Sequence, residues 1–210
     1  LARSRGLGDV YKRQIHKRTA SEVFSVEMEN VTDEMRRRAK TINFGLLYGM
    51  SAFGLSNQLS VSRAEAEEFL LNYFTKYSSI KVFMKDIVEQ AKKDKYVSTL
   101  YGRKIHVPNI ESPNYMLRQA SERAAVNGPL QGSAADIIKR AMINIFKESG
   151  KNEKDVKMIL QVHDELVFEV PEDYDEKNIS YLIDLMEESS SIDVPLKVEY
   201  GFGSNWREAH

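Results

Sequence analysis

A chain of 210 residues can bury a sizeable core and hold one large domain or a domain with a sub-lobe. Its 30 Lys and Arg against 31 Asp and Glu leave a formal net charge of -1, so any polyanion must be met by local patches and not by a basic domain. With no cysteine there is no disulfide, thiol or zinc-thiolate chemistry, and no long apolar run or signal-like segment points to a membrane or to export, so a cytoplasmic location is expected.

Residues 1–14 (LARSRGLGDVYKRQ) are basic, carry Gly6 and Gly8, and keep no helical or strand period, the pattern of a disordered arm. From Ile15 the character changes, and Ala20, Val23 and Phe24 suggest a short buried helix face. Thr32 reads as an N-cap with Asp33 and Glu34 in the first turn of the next helix.

That helix carries Arg36, Lys40, Phe44 and Tyr48 at four-residue spacing, which stacks two cations and two rings on one face. An amphipathic helix turns its apolar set inward and scatters its charge. A stripe running from cationic to aromatic instead suits a ligand that is polyanionic at one end and flat at the other, such as a nucleoside triphosphate. Arg is a rigid fork for phosphate oxygens, Lys a mobile point charge, and a ring meets a base or sugar. A basic nucleic-acid-binding helix with core aromatics fits the spacing equally well. Gly45, Gly49 and Gly54 keep one flank small.

Ser62 and Glu65 form a capping pair for a helix using Ala66, Phe69, Leu70 and Phe74. A further helix from about Ser79 uses Val82, Phe83, Ile87 and Ala91 and ends in Lys92-Lys93-Asp94-Lys95. Tyr96 to Leu100, Gly102 and Arg103 to Pro108 read as a short hairpin, whose Arg103-Lys104 pair is either solvated or set against a phosphate backbone. A helical pattern from Asn114 meets Gly128-Pro129 before resuming through Ala141, Ile145 and Phe146. Arg123, Asn127 and Gln131 lie four apart across that interruption: one hydrogen-bonding strip if the axis only bends, unrelated surface groups if it breaks.

Val156 to Leu160 and Leu166 to Val170 are β-rich and flank Gln161-Val162-His163-Asp164-Glu165, an antiparallel hairpin with an acidic tip. Adjacent acids at a turn offer hard oxygen ligands to a divalent cation, although Asp is common at turns for backbone reasons and the tip is short of ligands. Tyr174 to Ser190 reads as an amphipathic helix, Leu196 to Tyr200 as a strand, and Trp206 as folding back to pack. The order predicts an α+β fold: a helical lobe attached to part of an antiparallel sheet with covering helices.

These residues carry a family resemblance. RRRAKTINFGLLYGMSAFGLSNQL resembles the nucleotide-binding helix motif of family A DNA polymerases, the bacterial DNA polymerase I type, and VKMILQVHDELVFEVP their second catalytic-acid motif. TLYGRKIHVP, ERAAVNGPLQGSAADIIKRAM and VPLKVEYGFGSNWREAH resemble further segments in the same order, so the likeness runs from Ile15 to His210. It implies fingers over mainly 15–110, and palm-associated helices, the acidic-tip hairpin and a C-terminal strand over 111–210.

By this resemblance Arg36 and Lys40 hold the incoming triphosphate, with Lys40 as proton donor to pyrophosphate. Phe44 packs on the sugar and base, and Tyr48 stands beside the template base. Arg123, Asn127 and Gln131 feel the primer-template, and His163 lies near the primer end. Asp164 is the metal-binding catalytic acid and Glu165 a supporting one. The implied partners are primer-template DNA, deoxynucleoside triphosphates, two Mg2+ ions, and the upstream palm and thumb of a complete polymerase; the implied location is cytoplasmic and DNA-associated.

The departures are as specific. The family's first catalytic aspartate belongs to a motif upstream of Ile15, and nothing here matches it. Gln14 stands where an acid usually precedes the Ile-His pair, residues 1–14 resemble nothing in the family, and a junction is expected at about Gln14/Ile15. Ile105 and His106 are less basic than many relatives. Two functions follow: part of a DNA-directed DNA polymerase, incomplete as an isolated catalyst, or a non-catalytic DNA-binding or structural module of the same fold.

Overall fold

The computed structural model describes residues 2–5, 9–47, 49–152, 156–174 and 178–209. The chain divides into two compact units, Lys12–Ser133 and the combination of Leu1–Tyr11 with Ala134–His210. The division falls after Ser133, and Ala125 packs with Val97, Val107 and Ile110 in one buried cluster of the first unit.

In the Lys12–Ser133 unit, helix α1 (Asp9–Phe24, begun in the other unit) buries Ala20 and Val23. Helix α2 (Asp33–Leu47) starts where Thr32 Oγ1 accepts the backbone N–H of Met35 at 3.2 Å, the expected N-cap. Helices α3 (Ala52–Leu59) and α4 (Arg63–Lys76) follow, capped by Ser51 and Ser62. Ile42, Leu46, Leu55, Leu59, Ala66, Phe69 and Tyr73 close one core. Removing a side chain such as Ile42 from it costs about 2–5 kcal/mol.

Helix α5 (Ser78–Asp94) ends at Lys95 in the left-handed region, φ 62°. Its expected apolar face is only partly used: Ala91 is buried and Ile87 half-buried, but Val82 is 56% exposed and Phe83 is also exposed. Strands β2 (Tyr96–Ser98) and β3 (Lys104–His106) form the predicted hairpin, with Gly102 at φ 78° in its turn.

Helix α6 (Tyr115–Asn152) is continuous through Pro129. The proline removes one N–H without ending the helix, and the Ser133 hydroxyl donates to the Pro129 carbonyl at 2.5 Å. Gly132 is required there for close packing, since a Cβ would lie 2.6 Å from Thr99 Cγ2.

In the other unit, β4 (Lys157–Val162) and β5 (Glu165–Glu169) form the acidic-tip hairpin, and with β1 (Ala2–Arg5) and β6 (Glu199–Phe202) they make a four-stranded sheet in the order β4-β5-β1-β6 with every pair antiparallel. Strand β1 (Ala2–Arg5) sits where a disordered arm was expected. Sheet edges of β5 and β6 satisfy its backbone, a tertiary effect that composition does not report. Helix α7 (Ile179–Glu187) is shorter than the predicted Tyr174–Ser190 run. Strand β6 (Glu199–Phe202) starts later than predicted, Val198 N–H being bound instead by the Glu187 carboxylate at 2.9 Å. Ala141, Ile145, Leu166, Phe168, Leu182 and Met186 make the core, while Phe146 is 81% exposed. Trp206 opens the short helix α8 (Trp206–Ala209), which folds back so that Ala209 packs over Gly201 and Gly203 of the β6 end, while the Trp206 ring itself stays more than one-third exposed.

Candidate nucleotide and metal sites

Helix α2 divides its sides as its spacing demands. Ala39, Ile42 and Leu46 are buried in the core, leaving Arg36 partly exposed and Lys40 and Phe44 exposed on the other side. Lys40 Nζ lies 5.9 Å from the Phe44 ring centroid, so the cation and the ring form one surface. Arg36 meets Asp33 at 3.5 Å one turn back, an exposed pair that a phosphate can displace at little cost. Tyr48, the fourth residue of the predicted stripe, lies outside the described residues.

The structure adds two residues that the sequence reading did not assign. His16 of α1 is 8% exposed and its ring centroid is 5.8 Å from that of Phe44. Asn43 Nδ2 lies 3.0 Å from His16 Nδ1 and 3.0 Å from Thr19 Oγ1. Burial, then the charges of Lys40 and Arg36, hold His16 below its ordinary pKa and keep the ring neutral. Beneath this lies a second group. Tyr77 donates to the Glu22 carboxylate and also interacts with Thr19. Burial and Glu22 push the Tyr77 phenol up to about 12. Burial alone would raise Glu22, but hydrogen bonds from Tyr77 and Arg18 and the charge of Lys76 bring it below its ordinary value.

Arg123, Asn127 and Gln131 lie on the uninterrupted part of α6 at successive four-residue steps, so they share one strip of the helix. Arg123 and Gln131 are exposed and Asn127 half-buried. Arg123 packs its Cγ against Gly49, and beside them opens a cavity of about 310 Å³ that Lys85, Gln119 and Glu122 also line. The Arg103-Lys104 pair has internal partners: Arg103 donates to the Gly132 carbonyl at 3.0 Å, and Lys104 lies 4.3 Å from the Tyr96 ring centroid.

At the hairpin of the other unit, Val162 pairs with Glu165, leaving His163-Asp164 as a two-residue loop. His163 has φ 55°, a left-handed conformation uncommon outside glycine, and the side chains of His163 and Asp164 project from an exposed tip. Asp164 also lines an apolar cavity of about 160 Å³ with Ile137, Ile138, Met186 and Val198. Carboxylate oxygens suit a hard cation such as Mg2+. Among the described residues, however, no group of three or more His, Asp or Glu that could hold a metal comes together, so the donor chemistry fits and the donor number does not fit a pair of ions.

The sequence profile described as DNA polymerase family A matches residues 3–208, and the chain belongs to that family. The match begins inside the segment that the motif reading left unassigned. It is 48% identical to DNA polymerase I of Pseudomonas aeruginosa over 215 residues, covering all of this chain and 23% of that protein. It is 42% identical over 211 residues to DNA polymerase I of Bacillus caldotenax, again covering all of this chain and 24% of the relative. The fold superimposes with a TM-score of 0.91 on the POL domain of Pol1 from M. smegmatis, solved in complex with DNA primer-template and dNTP, at 37% identity over 99% of this chain and 40% of that one. The chain thus spans about a quarter of the length of these curated relatives. Among the described residues no helix is long and apolar enough to cross a membrane.

Proposed function

We propose that this chain is the fingers and part of the palm of a DNA-directed DNA polymerase, and that the outer side of α2 binds the incoming deoxynucleoside triphosphate. The observation that carries this is the arrangement of Arg36, Lys40 and Phe44 on a helix whose opposite side is buried, with His16 of α1 set against the Phe44 ring, in a chain of family A. Arg36 grips phosphate oxygens as a fork, Lys40 follows the charge as it moves onto pyrophosphate, and Phe44 packs on the sugar and base. Neutral His16 adds an uncharged donor beside them. The strip of Arg123, Asn127 and Gln131 touches the template and primer, and His163 the primer end.

In the reaction the primer 3′-hydroxyl loses its proton to solvent as its oxygen bonds to the α-phosphorus, the bond to pyrophosphate breaks, and Lys40 gives a proton to the leaving group. Mg2+, if bound, would supply activation of the 3′-hydroxyl and neutralisation of phosphoryl charge. Asp164, supported by Glu165, would provide one ligand to such an ion, and the described residues bring no further acidic cluster to it. The cellular reading is DNA replication or repair in the cytoplasm.

The test is titration of the purified chain with Mg2+ and a deoxynucleoside triphosphate, followed by tryptophan-independent calorimetry, and in parallel with primer-template DNA. Saturable triphosphate binding that Lys40→Ala and Phe44→Ala both weaken is expected. DNA binding without any triphosphate binding would move the assignment to a non-catalytic DNA-binding module.

A further inference from the structure

The apolar cavity beside the acidic hairpin has a size and a charge pattern that specify a ligand. We propose that it binds a small amphiphilic cation, an arylalkylammonium whose ring enters the cavity and whose charged end meets the Asp164 carboxylate.

Size sets the body of the ligand. The cavity is about 160 Å³ and its whole lining belongs to one unit, within Ala134–His210. Helix α6 supplies Ile137, Ile138 and Ala141, α7 supplies Met186, and Val198 comes from the segment that enters β6. Ala141 and Met186 are buried, and Ile137, Ile138 and Val198 half-buried, so the walls are fixed by the core they belong to. A cavity of about 150 Å³ with aliphatic walls stays dry and takes a benzene ring, which makes one six-membered ring the fitting body here. Met186 brings a polarisable thioether, and sulfur favours an aromatic neighbour over an alkyl chain.

Charge sets the head. The Ser189 hydroxyl on the cavity wall donates to the Met186 carbonyl at 2.7 Å, and the Ser189 carbonyl accepts from Arg140 at 3.0 Å. The Lys197 ammonium donates to the Glu187 carboxylate at 2.9 Å. These groups are engaged within the protein, whereas Asp164 sets a carboxylate on the exposed hairpin tip where the cavity meets solvent. An ammonium there makes a charge-assisted hydrogen bond, a neutral alcohol gains the apolar burial alone, and an anion is repelled. A cation so seated also neutralises the carboxylate that the proposed transfer reaction gives to a divalent ion, so occupancy inhibits that reaction. This consequence rests on the polymerase reading of the hairpin; the binding does not.

Methyl NMR of the 210-residue chain, labelled at isoleucine δ1 carbons and free of metal, nucleotide and DNA, tests the site. At pH 7 benzylamine, as its cation, is expected to move the Ile137 and Ile138 signals saturably. Benzyl alcohol should move the same signals with about fivefold weaker binding, the size of one ion pair at an exposed rim, and phenylacetate should not bind. Asp164→Asn should bring benzylamine down to the level of the alcohol. Ala134→Leu, at an exposed helix position that also lines the cavity, should abolish binding by filling it. Both substitutions are at exposed positions, so the fold is retained. Absence of saturable shifts with benzylamine, or binding that survives Ala134→Leu, overturns the cavity as the site. Equal affinities for the amine, the alcohol and the acid, or an unchanged affinity in Asp164→Asn, overturn the pairing with Asp164. Because the titration holds no polymerase substrate, failure of the polymerase reading leaves its outcome unaffected.

Discussion

Gly49 and Arg123 are in direct contact: a Cβ on Gly49 would lie 2.6 Å from Arg123 Cγ, and Gly49 holds φ 65°. Two independent reasons therefore exclude a side chain at Gly49. The left-handed backbone alone costs an L-residue about 1–2 kcal/mol. The clash adds the cost of moving Arg123, the first residue of the primer-template strip.

Gly49→Ala should accordingly destabilise the chain by about 1–3 kcal/mol. Gly102→Ala is the control, because Gly102 also has positive φ, 78°, yet has open space around its Cβ position. It should show the backbone cost alone. Denaturant melts of both, and of Gly49→Ala combined with Arg123→Ala, separate the two contributions. Equal losses at Gly49 and Gly102, with no relief in the double variant, would remove the Arg123 contact from the account.

What the sequence made legible follows from how local each feature is. The α2 stripe was readable because four-residue spacing and an N-cap at Thr32 act within a single helix, and the structure keeps Arg36, Lys40 and Phe44 away from the core that takes Ile42 and Leu46. The acidic hairpin was readable because β-rich runs flank a polar turn, and its register leaves His163-Asp164 at the loop. His16 and Asn43 escaped notice because they lie 27 residues apart and meet only when α1 packs on α2. The only local sign was the three-residue step from His16 to Thr19, which puts two polar groups on one side of α1. Pro129 left a bend and a break both open to local reasoning; packing of α6 from Ala125 to Gly132 against the β2-β3 hairpin keeps the helix continuous, so Arg123, Asn127 and Gln131 stay on one strip.

Lys40 and Lys93 give a contrast within one unit. Both are exposed lysines, but Lys40 borders Phe44 and His16 whereas Lys93 ends α5 in a solvated basic run. Lys40→Ala should weaken triphosphate binding about tenfold or more, since hydrogen bonds to charged groups contribute about 1.5–3 kcal/mol. Lys93→Ala should change it less than twofold. Calorimetric titrations with Mg2+ and dNTP at fixed ionic strength compare them, and matching small effects would reduce Lys40 to a surface lysine.

His16 also makes stability depend on pH in a defined direction. Its folded-state pKa is lowered by burial, then by Lys40 and Arg36, so the unfolded chain binds the proton more readily. Stability is therefore unaffected above the ordinary value of 6.5 and falls as pH drops from there towards the lowered folded-state pKa. Glu22 acts in a separate window, contributing stability above its ordinary 4.5 that is lost as pH falls through its lowered value. Thermal melts between pH 8 and pH 5 should show the native chain losing stability relative to His16→Gln below about pH 6.5. Parallel curves for the two proteins across that range would mean that His16 takes up its proton as freely in the fold as in water.

The last prediction concerns catalysis by the 210 residues alone. Two-metal transfer needs cations about 3.5–4 Å apart, each held by carboxylates on both sides of the reacting phosphate. The acidic hairpin supplies Asp164 and the adjoining Glu165. Strand β1 is the neighbour of β5 in the sheet, with Ser4 opposite Leu166, and its sequence Ala-Arg-Ser-Arg holds no carboxylate. The strand beside the hairpin therefore brings no second acid to Asp164. Triphosphate attraction to Arg36 and Lys40 does not depend on those ligands, so binding should persist where chemistry fails. Purified residues 1–210 should give no measurable templated extension in primer-extension assays with Mg2+ and all four nucleotides. A chimera in which the upstream palm of a family A relative is joined before Ile15 should extend the primer, and Asp164→Ala in that chimera should abolish it. Extension by the unaltered chain that still requires Asp164 would show that the described residues already hold a complete metal site.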